Sequence, residues 1–250
     1  MKKNLFFLFA LICSVSLFTA CSDDDDNKGG DENLISGPMV GTWQLADVVK
    51  DDMGSHVSGP VNLVWEAPEG TMLGFMPVKE VPAMANSMAS DMLVKVLKDI
   101  TLGADGNILA TYSEKAPSMG SEPVVPEWKE SEVGYATWQK VDDSKILVFL
   151  NLEKIMGAKN RADNNPLLAV LEIVKNGIPV NIRYDEQQNP TFFVDKALTD
   201  KLVPLIPQLV GLIPDDGLNG MAPLVKMMLN AVPDAMKVTT KFEVGLNVKK

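Results

Sequence analysis

The chain has 250 residues, of which 46% are apolar, and a formal net charge of −10. A strongly acidic surface repels phosphates, so the composition argues against a nucleic-acid partner. The two cysteines, Cys13 and Cys21, both lie near the start of the chain, and histidine occurs once, at His56. The rest of the chain therefore has no disulfide and no cysteine or polyhistidine metal site, and we expect neither a metal nor a cofactor.

Residues 1–20 have the order of a secretory signal peptide. A basic pair, Lys2 and Lys3, precedes an apolar run from Leu5 to Phe18, and small residues follow it. The run is too short to span a bilayer comfortably, and it ends in a processing site rather than in a stop-transfer cluster. We expect this segment to be removed, which leaves 21 basic and 33 acidic residues and a net charge of −12.

Leu17-Phe18-Thr19-Ala20-Cys21 resembles the lipobox of bacterial lipoprotein signal peptides, in which the cysteine is acylated and becomes the mature N-terminus. The sequence departs from this pattern at Phe18, where a smaller aliphatic residue is usual. The resemblance implies that Cys21 carries acyl chains such as palmitate, and two or three such chains hold a protein stably on a membrane. The alternative is ordinary cleavage that leaves Cys21 as a free thiol.

Residues 21–36 have the composition of a flexible tether. They contain four consecutive aspartates, Asp23 to Asp26, and few apolar residues, so they bury too little surface to fold. An acidic run directly after the lipid-bearing cysteine also resembles the surface-export signal of some gut-dwelling Gram-negative bacteria. This resemblance implies a lipoprotein of the outer membrane that faces the cell exterior.

Residues 37–250 are expected to form a single domain, mainly of antiparallel β-strands with helical additions. Alternating segments predict the strands, and turn residues such as Asp105-Gly106 join some of them as hairpins. Short strands that follow one another along the chain favour a meander or barrel within an α+β fold. The predicted strands are Val40–Val49, Val61–Glu66, Ile100–Leu102, Asn107–Ser113, Val133–Lys140, Lys145–Leu152, Pro179–Tyr184, Thr191–Val194 and Met236–Lys249.

Two helices are predicted between the strands. Residues 166–176 follow a helix cap at Asn165 and end before Gly177, a residue suited to the backbone of a helix end. Residues 83–98 change to a helical period and carry methionines on one face: Met84, Met88 and Met92.

A faint internal repeat predicts a helical hairpin over residues 196–234. Val203-Pro204-Leu205-Ile206 matches Ala222-Pro223-Leu224-Val225, and each copy ends in Pro-Asp. Because proline fits the first helical turn and disfavours helix in the residue before it, each copy predicts one short helix. Both helices are apolar on most sides, so sheet, each other, a ligand or lipid must cover them.

Gly41-Thr42-Trp43-Gln44-Leu45 resembles the Gly-x-Trp start of lipocalin-like, or calycin-like, barrels, and Asp105-Gly106-Asn107 and Gly134-Tyr135-Ala136-Thr137-Trp138 fit lipocalin-like surface lipoproteins of unknown function. The resemblance covers at most residues 37–152 and the last strand. It implies that Trp43 packs at one end of a barrel that often holds a small apolar ligand. In such barrels a late basic residue often packs on this tryptophan. Arg161 and Arg183 lie outside the last predicted strand, so Lys241 is the expected substitute.

Candidate ligand-binding residues are methionines of the predicted helices and two tryptophans. Methionine is flexible, so these side chains could line an adaptable apolar pocket or partner surface, although core packing explains the same helical spacing. The tryptophans could stack on carbohydrate or serve the core. The residues concerned are Met84, Met88, Met92, Met227, Met228, Trp65 and Trp128.

The sequence assigns no catalytic residue. His56 lies in a polar stretch that predicts a surface loop, without a nucleophile signature nearby. Glu127, Glu130 and Glu132 are the acids that a carboxylate-based hydrolase would use, although a solvated loop explains them better. We therefore expect a non-catalytic module that binds a small apolar or amphipathic molecule, with a glycan-contacting accessory protein or, less favoured, a hydrolase as alternatives.

Overall fold

The structure is a computed structural model that describes residues 34–115, 125–151, 154–155, 170, 172–211, 213 and 222–250. The predicted signal peptide, the predicted lipid site at Cys21 and the tether up to residue 33 lie outside the described residues.

The described residues form short strands with helices inserted between some of them. The strands are β1 (Gly41–Leu45), β2 (Val49–Lys50), β3 (His56–Ser58), β4 (Val61–Glu66), β5 (Met72–Leu73), β6 (Met76–Pro77), β7 (Leu97–Leu102), β8 (Asn107–Tyr112), β9 (Lys129–Glu130), β10 (Ala136–Asp142), β11 (Lys145–Leu150), β12 (Ile178–Tyr184), β13 (Pro190–Asp195) and β14 (Lys241–Lys249). The helices are α1 (Val81–Leu93), α2 (Lys196–Leu202), α3 (Ile206–Val210) and α4 (Ala222–Val238), with short 3-10 turns at Val78–Glu80 and Val203–Leu205.

Eight antiparallel strands close a barrel in the order β1, β7, β8, β10, β11, β12, β13 and β14. The barrel closes where β14 returns to β1 through the pairs Gln44–Lys249 and Leu45–Val248. β4 pairs with the first half of β14 and extends the sheet beyond the barrel, while β9 pairs with β8. The prediction of a mainly antiparallel barrel within an α+β fold is confirmed.

Alternation along the strands fills the barrel with apolar side chains. Trp43 and Leu45 of β1 and Trp138 of β10 belong to one continuous buried core, because every second residue of a strand points inward. The turn between β7 and β8 has the predicted chemistry. Gly106 has a φ of 81°, and the Asp105 carboxylate accepts the N–H of the next residue but one at 3.0 Å.

The two ends of the barrel are closed by different parts of the chain. The hairpin end holds the turns at residues 103–106, 143–144 and 185–189, and the segment before β1 packs there. The Ile35 N–H donates to the Ala104 carbonyl at 2.7 Å. At the opposite end, which we call the helix end, Leu93 of α1 and Leu198 of α2 pack onto the barrel core.

Helix α1 covers the free edge of β4 with polar side chains. The Ser90 hydroxyl accepts the Val61 N–H at 3.1 Å, and the Asn86 amide accepts the Leu63 N–H at 2.6 Å and donates to the Leu63 carbonyl at 3.2 Å. These bonds replace the partners that a neighbouring strand would supply. The helix ends at Leu93, earlier than the predicted end at residue 98, because the chain must turn to begin β7.

A second apolar core lies where β4 and β14 extend beyond the barrel. It contains Trp65 and Met236 and brings together β4, β5, α1 and α4. Helix α4 continues through Pro233 to Val238, so the prediction that it ends at Pro233-Asp234 is wrong. The last strand consequently begins at Lys241 and not at Met236. Pro233 removes one helical hydrogen bond, and burial of Met236 beyond it offsets that cost.

The other predicted helices are only partly within the described residues. The first repeat copy is divided into the 3-10 turn Val203–Leu205 and α3, with Pro207 in the first turn of α3. Of the predicted helix 166–176, residues 170 and 172–174 are helical, and Gly177 follows with a φ of 92°. Residues 166–169 and 171, and residues 216–220 between the two repeat copies, lie outside the described part of the chain.

Candidate functional site

An open groove of about 350 Å³ lies at the helix end of the barrel. It forms where the end of β1, the connection from α1 to β7 and the segment before β9 meet. Leu45 and Leu97 belong to the barrel core, so the groove lies directly above that core. The lining residues are Leu45, Ala46, Asp47, Val48, Val94, Leu97, Lys98 and Trp128.

The chain on both sides of Trp128 is anchored to the barrel. Lys129 of β9 pairs with Tyr112 of β8, and its ammonium lies 5.1 Å from the centre of the Tyr112 ring. On the other side, the Ser113 hydroxyl accepts the Glu127 N–H at 3.1 Å. The indole between these anchors is 40% exposed, and its N–H has no hydrogen-bond partner among the described residues.

A β-bulge places Lys98 in the groove. In the register of β7 with β8, Leu97 pairs with Tyr112 and Asp99 pairs with Thr111, so Lys98 is an extra residue. Bulges re-aim a side chain in this way. Lys98 was not predicted to line a site, because it falls at the end of the predicted helix 83–98. Two polar residues between Leu97 and Ile100 were the available signal for a bulge.

Several charged groups around the groove are already paired. The Asp47 carboxylate forms an ion pair with the Lys249 ammonium. The ammonium of Lys129 donates a hydrogen bond to Glu114, which raises the pKa of Lys129. Lys98, by contrast, has no ion-pair partner within the described residues. Among the described residues, the groove therefore combines an apolar floor, one aromatic face and one positive charge without an ion-pair partner.

The other three tryptophans are buried. Trp65 is 8% exposed and packs edge-on against Phe242, with 5.1 Å between ring centroids. It therefore does not share an exposed face with Trp128, as carbohydrate stacking by the pair would require. Each of the three indole N–H groups donates a hydrogen bond of 2.8–3.0 Å. Trp43 donates to the Met39 carbonyl, Trp65 to the Thr239 hydroxyl and Trp138 to the Gly103 carbonyl.

Trp43 packs near the hairpin end of the barrel. Its ring lies edge-on to Phe192 with 6.4 Å between centroids, and the Lys250 ammonium lies 4.9 Å from its centre. The expectation that Lys241 would occupy this position is wrong. Lys241 forms ion pairs with Glu66 and Glu243 instead, because it starts β14 at the other end of the strand.

The five candidate methionines do not line the groove. Met84 and Met88 are 36% and 43% exposed on the outer side of α1, while Met92 is partly buried. The inner side of this helix must supply hydrogen bonds to the edge of β4, which turns the methionines outward. On α4, Met227 is exposed and Met228 packs against the second core.

The acids near Trp128 do not form a carboxylate pair in the groove. Glu127 forms an ion pair with Lys115, and Glu130 and Glu132 are exposed. Asp47 is the only carboxylate among the groove residues. Over the described residues, no group of three or more histidine, cysteine, aspartate and glutamate side chains is arranged to hold a metal ion.

His56 lies in strand β3 and not in the predicted surface loop. Its Nδ1 atom is buried and has no hydrogen-bond partner among the described residues. A Cβ atom added to Gly59 would lie 2.9 Å from the imidazole Cε1, so the ring packs closely against the backbone there. It does not line the groove.

The protein thus belongs to the class of α+β proteins built on a closed, antiparallel eight-stranded barrel, and it carries an open groove outside its packed core. Comparison with protein-family models, curated proteins and solved structures gave no match. Where the structure describes the chain, none of the helices has the length and apolarity needed to cross a membrane.

Proposed function

We propose that the protein is a non-catalytic, lipid-tethered binding module that holds a small amphipathic molecule in the groove at the helix end. Trp128 carries this proposal, because its half-exposed ring lies beside the apolar floor formed by Leu45 and Leu97. Small-molecule sites combine an apolar surface with a few polar groups in this manner. Aromatic rings contribute much of the contact energy at such sites.

The packing of the barrel supports a site outside it. The interior of an eight-stranded barrel either is filled by side chains or holds one small ligand, and here Trp43, Tyr112 and Trp138 all belong to the buried core. A ligand inside would have to displace these rings. The groove requires no such displacement, since its lining residues already face solvent or lie directly beneath it.

The resemblance to lipocalin-like surface lipoproteins remains part of the proposal. The contact of Lys250 with Trp43 supports it, because a late basic residue on the Gly-x-Trp tryptophan is what the resemblance implies. The proposed ligand position differs from that of a lipocalin, in which the barrel itself often holds the ligand.

A lipid anchor at Cys21 would join the barrel through the tether at the end opposite the groove. The described chain starts at Leu34, beside the turn at residues 103–106, whereas the groove lies at the start of β7. Six residues of β7 separate these places, a span of about 20 Å. We propose an outer-membrane lipoprotein displayed on the cell exterior, whose groove is open to molecules in the medium.

The anchor is tested in the precursor expressed in a Gram-negative host. Wild-type protein should partition into the detergent phase of Triton X-114, and Cys21→Ser should move it to the aqueous phase, because two acyl chains dominate membrane affinity. Ser22→Ala is the matched control and should remain with the detergent. If Cys21→Ser protein also stays in the detergent phase, the anchor lies elsewhere.

The groove is tested with a neutral amphipathic probe, 4-nitrophenyl β-D-glucoside, by isothermal titration calorimetry. The protein is the mature chain, residues 21–250, with Cys21→Ser to keep it soluble. Trp128→Ala should weaken binding by about tenfold, which corresponds to about 1.4 kcal/mol of lost aromatic contact. Met53→Ala removes a side chain that is 89% exposed outside the groove and should leave binding unchanged. Equal affinity of both variants and wild type, or no binding to wild type, would refute the site.

Glycan contact is the second candidate, and Trp128 is the observation that favours it. Only one indole presents an exposed ring, so the groove would hold one sugar ring and not a long chain. A carboxylate-based hydrolase has no comparable support, because a single carboxylate lines the groove and it is paired with Lys249.

A further inference from the structure

Lys98 gives the groove a charge that is paired with no other group among the described residues. The residue is exposed, and it has neither an ion pair nor a hydrogen-bond partner among the described residues. Leu97, beside it in the chain, is buried to 1% exposure. The bulge of β7 therefore fixes the start of the Lys98 side chain on a rigid part of the barrel.

The chain as a whole is acidic, and several of its lysines are paired with acids. The chain has 33 acidic and 23 basic residues, and two ammonium groups near the groove have carboxylate partners, whereas Lys95, like Lys98, has none among the described residues. Lys115 pairs with Glu127, and Lys249 pairs with Asp47. In a protein with this excess of acids, an unpaired ammonium that lines a groove attracts negative charge to that point more than to the surface around it.

We propose that the ligand of the groove is an anionic ring compound whose carboxylate binds Lys98 while its ring lies on Trp128. This inference rests on the proposed function and adds the chemical class of the ligand. A carboxylated glycoside and an aryl carboxylate share this chemistry. The groove volume of about 350 Å³ is near the lower end of the range for ligand pockets, about 300–1,000 Å³, and is sufficient for a small ring compound.

The test compares two probes that differ in one group. 4-Nitrophenyl β-D-glucuronide carries a carboxylate where 4-nitrophenyl β-D-glucoside carries a hydroxymethyl group. Both are titrated calorimetrically into the mature chain with Cys21→Ser. The glucuronide should bind about two- to fivefold more tightly, the contribution of an exposed ion pair. The preference should fall at high salt, because ions screen exposed charges.

Variants of the lysine assign the preference to its charge. Lys98→Gln should abolish the preference for the glucuronide, and Lys98→Arg should retain it. Lys95→Gln is the matched control, because Lys95 is also exposed but does not line the groove; it should keep the preference. A third probe, 4-nitrobenzoate, distinguishes the two kinds of carboxylate ligand. Binding of 4-nitrobenzoate that depends on Lys98 favours an aryl carboxylate. If 4-nitrobenzoate does not bind and the glucuronide does, a carboxylated sugar is favoured.

The outcomes separate this inference from the proposed function. Equal affinity for glucuronide and glucoside, or a preference that survives Lys98→Gln, overturns the anionic ligand. If Trp128→Ala still weakens both probes in that case, the binding groove stands without the charge. If no probe binds the wild-type protein, both proposals fail.

Discussion

Asn86 of α1 is expected to contribute more to the free energy of unfolding than any apolar residue on the exposed side of that helix. Its amide accepts the Leu63 N–H at 2.6 Å and donates to the Leu63 carbonyl at 3.2 Å. Asn86→Ala removes both bonds at once, and helix α1 prevents another strand from supplying them. The edge of β4 is then left with two partly buried backbone groups that have no partner.

The expected change in the free energy of unfolding is the difference between the cost of the lost hydrogen bonds and the gain in helix propensity. A buried polar group left without a partner costs about 1–3 kcal/mol. Because water has partial access to the N–H and carbonyl of Leu63, the combined cost of the two groups is about 2 kcal/mol. Alanine is a better helix former than asparagine by about 0.5 kcal/mol. Asn86→Ala should therefore lower the free energy of unfolding by about 1.5 kcal/mol, equivalent to about 3–6 °C in Tm for a domain of this size.

Urea denaturation followed by circular dichroism measures this change, with Ser87→Ala as control. Ser87 neighbours Asn86 on α1 and has no hydrogen-bond partner among the described residues, so its replacement should change stability by less than about 0.5 kcal/mol. The denaturant slope should be the same for all three proteins. If Asn86→Ala is as stable as Ser87→Ala, α1 does not satisfy the edge of β4 as described.

Two further variants test the packing and the turns. A Cβ atom on Gly59 would lie 2.5 Å from the Ser90 hydroxyl oxygen, so Gly59→Ala should lower the free energy of unfolding by about 1–3 kcal/mol. Because Ser90→Gly removes that oxygen, the double variant should be more stable than the sum of the two single losses of stability predicts. Hydrogen bonds from the side chain and backbone of Asn107 hold the pKa of Asp105 below its ordinary 3.8. The ionised carboxylate therefore stabilises the fold above about pH 4, and this contribution is lost as the pH falls through the folded-state pKa. Asp105→Ala should thus destabilise the protein at pH 7 by less than about 1 kcal/mol, since the group is exposed, and urea curves at pH 3 should show a smaller difference from wild type; a difference that grows on acidification would contradict the sign.

The strands were the most predictable part of the fold. Val61–Glu66 was predicted with the bounds that β4 has, and β8 and β12 differ from their predictions by one residue each. Strict alternation and turn residues are local signals, so they can be read from neighbouring positions. The extension of the sheet by β4 could not be read in this way, because it depends on pairing with Lys241–Lys249 far along the chain.

The orientation of α1 shows why the methionine prediction did not give the site. The helical period was read correctly, but the pattern left open whether Met84 and Met88 face a pocket, a partner surface or the core. In the structure, Asn86 and Ser90 occupy the inner side instead, because an edge strand needs hydrogen-bond partners more than apolar contact. Helix period alone does not reveal which side meets a strand edge.

Of the residues that line the groove, the sequence named only Trp128 as a candidate for ligand binding. The other lining residues come from positions 45–48 and 94–98, which are far from residue 128 in sequence and meet only after the barrel closes. Lys98 was also concealed by the overlong predicted helix. A bulge in β7 decides its position, and bulges leave a weak trace in a single sequence.

The most direct test of the proposed binding site is a proton–nitrogen NMR titration of the four tryptophan indole groups with 4-nitrophenyl β-D-glucuronide. Three indole N–H groups donate to protein acceptors inside the molecule, whereas that of Trp128 has no partner among the described residues. The signal of Trp128 should shift with ligand concentration and the signals of Trp43, Trp65 and Trp138 should stay in place. Shifts of Trp43 and Trp138 with an unchanged Trp128 would place the ligand inside the barrel and contradict the account.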